Sequence, residues 1–107
     1  MRSAALVAFA ALLLGAGTAE AKPAQCETTD EGRYPCDFQA TDRKGSFRTT
    51  ARGKPTYTLL VDEPGDAFAS ASFSGGRNVP LPGRYLQDRN DRACWVSNAT
   101  GTRICAR

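Results

Sequence analysis

From Tyr34 onward the sequence sustains no helical period; apolar residues instead recur at alternate positions in short runs cut by turn residues. Tyr34, Cys36, Phe38 and Ala40 share one face of the first run, since strand side chains point alternately to opposite sides. Residues 42–45 turn the chain into a threonine-rich run over 46–51, and Gly53-Lys54-Pro55 breaks it. The next run, 56–61, sets Tyr57, Leu59 and Val61 together, and Asp62-Glu63-Pro64-Gly65-Asp66 then makes the strongest turn signal in the chain. Residues 67–73 read as strand despite three alanines, because Pro64-Gly65 and Gly75-Gly76 bracket them. Residues 79–81 and 85–87 flank Pro82-Gly83, which marks an edge or an irregular crossing. Residues 93–97 and 102–105 form the last pair. Six or seven strands at spacings of about 8–12 residues predict an all-β fold, a small antiparallel sandwich or barrel.

The N-terminus has a different character. A short basic start, Met1-Arg2-Ser3, precedes eleven apolar residues, Ala4 to Leu14. That run suits a signal-peptide core and falls short of the roughly 20 residues a membrane-spanning helix needs. Ala19-Glu20-Ala21 supplies the small-x-small pattern of a cleavage site, so residues 1–21 read as a signal peptide and 22–107 as one exported domain, periplasmic or secreted. No second apolar run follows, so no membrane span is expected. A mature chain of about 86 residues buries only about 60–65% of its unfolded surface, and its core alone is marginal.

Four cysteines, Cys26, Cys36, Cys94 and Cys105, are therefore expected to act as disulfide staples. Three pairings are open, and spacing favours two local bridges, Cys26–Cys36 and Cys94–Cys105. The second can be tested by register. If residues 98–101 form a four-residue hairpin loop, Ser97 faces Thr102, Cys94 faces Cys105, and Trp95 meets Ile104 on the opposite face. A bridge from Cys26 or Cys36 to the C-terminal strands is the alternative. No C-x-x-C spacing suggests a metal, and no cofactor motif is present.

The chain has 14 basic and 11 acidic residues and no histidine, which removes His-based acid–base, nucleophilic and metal chemistry. Lys44 and Ser46 share a strand face, but no oxyanion donor accompanies them. Asp62, Glu63 and Asp66 lack the D-x-D-x-D pattern of a calcium loop. No catalytic residue is assigned. The C-terminal third carries Arg77, Arg84, Arg89, Arg92, Arg103 and Arg107 together with Tyr85 and Trp95. Guanidinium groups fork onto carboxylates and phosphates and stack on rings, so an anionic partner, a polysaccharide or an acidic protein, is the functional expectation. Net charge is only +3, too modest to indicate nucleic acid in an exported chain. The fold and composition thus predict a non-catalytic binding module. The alternative is an inhibitor of a hydrolase such as lysozyme or a protease, with Pro80-Leu81-Pro82-Gly83 as the plugging loop and Leu81 as its anchor.

Gly53-Lys54-Pro55-Thr56-Tyr57-Thr58-Leu59, the stretch from Arg77 through Pro80-Leu81-Pro82-Gly83 to Tyr85, and Cys94-Trp95 with Cys105 together resemble a group of small exported proteins of alphaproteobacteria. That resemblance implies a compartment and a fold class, and no activity. A second, weaker one is to periplasmic inhibitors of C-type lysozyme, small disulfide-containing β-barrels, through size, Tyr34-x-Cys36 and a terminal cysteine. Their Ser-Gly-x-x-Tyr…Tyr-Trp-Ser inhibitory motif is missing, so no inhibitory residue is carried over.

Overall fold

The computed structural model describes residues 20–107; the expected signal segment lies outside the described residues except for Glu20 and Ala21. Among the described residues nine strands follow one another: β1 (Lys22–Thr28), β2 (Gly32–Ala40), β3 (Phe47–Thr50), β4 (Thr56–Glu63), β5 (Asp66–Ser72), β6 (Asn78–Pro80), β7 (Tyr85–Gln87), β8 (Cys94–Ser97) and β9 (Arg103–Ala106). All pairings are antiparallel. Eight strands close a barrel in the circular order β1-β2-β3-β4-β5-β7-β8-β9, and β6 hangs beside the second half of β5. The expected all-β fold is thus a barrel rather than a sandwich, with two strands more than the upper count. The strand with no counterpart in the sequence pattern is β1. Its sequence, KPAQCET, has no alternating apolar signal, and its place is secured by seven register pairs with β2 and by Gln25 and Arg107 exchanging backbone hydrogen bonds at 2.7 and 2.9 Å.

Inward positions follow the alternation. Tyr57, Leu59 and Val61 of β4 stand opposite Ala71, Ala69 and Ala67 of β5 in one continuous register. Both rows are buried, together with Phe47, Tyr85, Trp95 and Ile104. Eight strands enclose a space just wide enough for side chains, so a row of large residues requires a row of small ones across from it. The alanines that weaken the β propensity of β5 are therefore what the barrel interior needs.

Both local bridges are present, Cys26–Cys36 and Cys94–Cys105. In the second hairpin Cys94 faces Cys105 and Trp95 faces Ile104, the expected register. The two bridges lie on opposite sides of the wall. Cys26 and Cys36 point inward and cluster with Tyr34. Cys94 and Cys105 have the parity opposite to the inward Trp95 and Ile104, and the Arg107 guanidinium reaches over Cys94 Sγ at 3.6 Å. Among the described residues no helix is long and apolar enough to cross a membrane.

Candidate functional site at the barrel mouth

The two ends of the barrel differ. At one end the β1–β2 turn folds inward, and the Glu31 carboxylate accepts hydrogen bonds from Thr28 Oγ1 and from Tyr57 Oη, the latter at 2.7 Å. Burial, and then the Glu31 hydrogen bond and charge, push the Tyr57 hydroxyl far above the usual phenol range. Leu81 tucks against the core, with its N–H on Ala69 O at 2.9 Å. This end is plugged.

The other end is open. A cavity of about 380 Å³ is walled by Phe38, Phe47, Val61, Trp95 and Ala106, which belong to five different strands. Lys44 and Arg92 stand on its rim with Gln87, and no Asp or Glu lines it among the described residues. Small-ligand sites in general occupy about 300–1,000 Å³ and favour barrel mouths. A second hollow of about 310 Å³ adjoins it, sharing Phe38 and Ala106 and adding Lys22 and Arg107. Lys22 Nζ lies 5.7 Å from the centre of the Phe38 ring.

Both rim cations sit on pinned loops. Asp42 Oδ1 accepts the backbone N–H of Lys44 at 2.8 Å and of Ser46 at 3.1 Å, and Thr41 N–H closes onto Ser46 O. The hydrogen bond from the Ser46 side chain is the main reason the Asp42 carboxyl lies below its ordinary range, with the backbone N–H groups and Lys44 adding to it. Ser46 Oγ in turn accepts Val61 N–H at 2.8 Å, so this buried hydroxyl is engaged structurally. The Arg92 loop is tied by Gln87 Nε2 donating to Arg92 O, Cys94 N–H to Asp91 O, and Ala106 N–H to Ala93 O. Neither Lys44 nor Arg92 forms an ion pair among the described residues.

The arginines singled out from the sequence do not form one patch. Arg84 lies on the outer wall, its Nε on Asp66 at 2.8 Å and Nη2 on Asp62 at 2.6 Å, with its guanidinium 4.0 Å from the centre of the Phe68 ring. The two carboxylate hydrogen bonds raise its pKa still further. Arg103 pairs with Asp88 at 3.1 Å, and Arg107 with Glu27 and Asp91. Those three charges are already answered from within the chain. Arg89 and Arg92 lie in the loop beside the mouth and make no such pair among the described residues, while Arg77 is far from both, near the tip of the β5–β6 hairpin.

The expected plugging loop is also used internally. Leu81 faces the core, Pro82 O accepts the Ser97 hydroxyl at 2.9 Å, and Gly83 lies against the side chains of Ser97, Asn98 and Ala99. An exposed turn with an apolar side chain lies elsewhere. Gly76 N–H bonds Phe73 O at 2.9 Å around Ser74 and Gly75, both at positive φ, which is a type I′ turn. It leaves the Phe73 side chain 53% exposed. Sequence reasoning missed the mouth because Lys44, Phe38 and Phe47 join Arg92 and Trp95 only through barrel closure. The Phe73 tip has a local signal, Ser74-Gly75-Gly76, which marks a turn but not the aromatic side chain it exposes. No family model matches the chain, and neither a curated protein nor a solved structure matches it.

Proposed function

We propose that this protein is a non-catalytic exported binding module, periplasmic or secreted, whose partner is anionic. The observation that carries the reading is the open mouth, where Lys44 and Arg92 stand on pinned loops over an aromatic wall with no lining carboxylate among the described residues. The pinned backbones fix where each side chain leaves the loop, and a cation that forms no ion pair within its own chain is available to a partner's anion. Two further facts support export. Two disulfides are the mark of an oxidising compartment, and β1 begins at Lys22, the residue that follows the expected cleavage point.

The test is recovery of a partner from a periplasmic extract on immobilised mature protein, at low and at high salt, with wild type and with Lys44→Ala/Arg92→Ala. Wild type should retain a partner that salt releases, since exposed charges act over roughly 8 Å at physiological ionic strength. The double variant should not retain it. Equal retention by both proteins overturns the anionic reading. Arg84 is unsuitable for this experiment, because Asp62 and Asp66 already hold it.

Inhibition of a hydrolase is the second reading, and the Phe73 tip favours it. An exposed aromatic on a hydrogen-bonded turn is a better anchor than the inward Leu81. In that case Phe73→Asp abolishes inhibition, Leu81 substitutions act only through stability, and Lys44→Ala/Arg92→Ala has no effect.

A further inference from the structure

The geometry points to a small amphipathic monoanion, an aryl- or alkyl-carboxylate, as the ligand of the barrel mouth. It deepens, and rests on, the reading of an anionic partner, and it names where each half of the ligand goes. A polyanion such as an acidic polysaccharide needs cations strung along a surface. Here the cations converge on a hollow instead: Lys44 and Arg92 rim the 380 Å³ cavity, and Lys22 and Arg107 line the hollow joined to it through Phe38 and Ala106. Arg107 is answered by Glu27 and Asp91, which leaves Lys22, Lys44 and Arg92 outside any ion pair among the described residues.

Below the cations the walls are apolar and largely aromatic. Phe38 and Phe47 lie with ring centres 5.1 Å apart, and Trp95 faces the same space. Phe47 and Trp95 are only 4% and 6% exposed, so the ring surface left for a ligand is mainly that of half-buried Phe38; a purely inorganic anion would leave it uncovered, and a neutral apolar molecule would leave the cations unanswered. A ligand with a ring or a short chain at one end and a carboxylate at the other matches both. The packed core behind the mouth, with Leu59, Tyr85 and Ile104 fully buried, limits how far the apolar end can enter, which favours short ligands over long acyl chains.

Trp95 is the single tryptophan of the chain and lines the cavity, so its emission reports occupancy directly. The experiment titrates the mature, disulfide-intact protein with 3-phenylpropionate and octanoate, then with their primary amides, then with sulfate. Both carboxylates should change Trp95 emission saturably. The amides should bind at least about tenfold more weakly, the difference that one charge-assisted hydrogen bond makes. Sulfate should give no saturable change. Arg92→Ala and Lys44→Ala, both exposed positions that leave the fold intact, should each weaken the carboxylates without affecting the amides. Ala93→Leu, which fills the opening, should remove binding of all of them, with far-ultraviolet circular dichroism checking that the barrel is retained.

Amides binding as well as acids overturn the inference, because the cavity is then only apolar. Sulfate competing fully with the carboxylates overturns it in the other direction. No response to either carboxylate overturns it outright, while salt-sensitive, Arg92-dependent recovery of a periplasmic partner would leave the broader anionic reading standing.

Discussion

Gly83 has φ +83°, and a β-carbon there would come within 2.7 Å of Ala99 Cβ and 2.8 Å of Ser97 Oγ. Replacing it with alanine meets both the left-handed backbone and two immovable neighbours. Gly83→Ala should therefore cost about 1–3 kcal/mol in urea unfolding, more than most surface substitutions. The group it presses on is equally constrained. The buried Ser97 Oγ donates to Pro82 O and accepts N–H groups of Ala99 and Thr100, both at 3.1 Å. Ser97→Ala strands those partners and should cost about 1–3 kcal/mol. Pro82-Gly83 is visible in the sequence as a turn, because Pro and Gly report local backbone needs. What the turn packs against is not, since Ser97 is brought to it by the pairing of β7 with β8.

At the scale of elements, the β8–β9 hairpin is the most legible part of the molecule. A four-residue loop sets the register, and the register then dictates both the disulfide and the Trp95–Ile104 pair. The opposite case is β1, where only Cys26 and Thr28 are buried, so that pattern reading has nothing to hold. The mouth is half legible. Arg92 stands out as a guanidinium, while Lys44 and Phe38 lie on elements whose proximity depends on β1 pairing with β9. On β5 the inward alanines lie flat against Tyr57 and Leu59. Ala71→Leu adds three carbons where the barrel has no room and should lower stability by about 1–3 kcal/mol in thermal or urea unfolding. Ser70→Thr, on the outer face of the same strand, should be close to neutral.

For the molecule as a whole, stability should be flat across neutral pH and fall at both ends. The carboxyls of Asp42, Asp62 and Asp88 are held below their ordinary range by the Ser46 hydroxyl, by Arg84 and by the Asn90 N–H respectively. A depressed carboxylate contributes stability above its unfolded pKa, about 3.9, and that contribution is lost as pH falls through the folded value. Tyr34, Tyr57 and Tyr85 are raised, chiefly by burial, so their contribution is present below about pH 10 and lost as pH rises further. No histidine titrates between these limits. Melting temperatures should thus vary little from about pH 5 to about pH 9 and drop on either side. Reduction should have a larger effect than any pH in that window, because each local bridge is worth roughly 3 kcal/mol to a small domain. A reduced sample that melts within a few degrees of the oxidised one would contradict this. The pairing of β9 has a temporal consequence. It lies between β8 and β1, so the first strand of the domain waits for the last to be delivered before the wall can close. A chain that emerges N-terminus first cannot complete this barrel until residues 103–107 are out, so closure is the last step of its assembly.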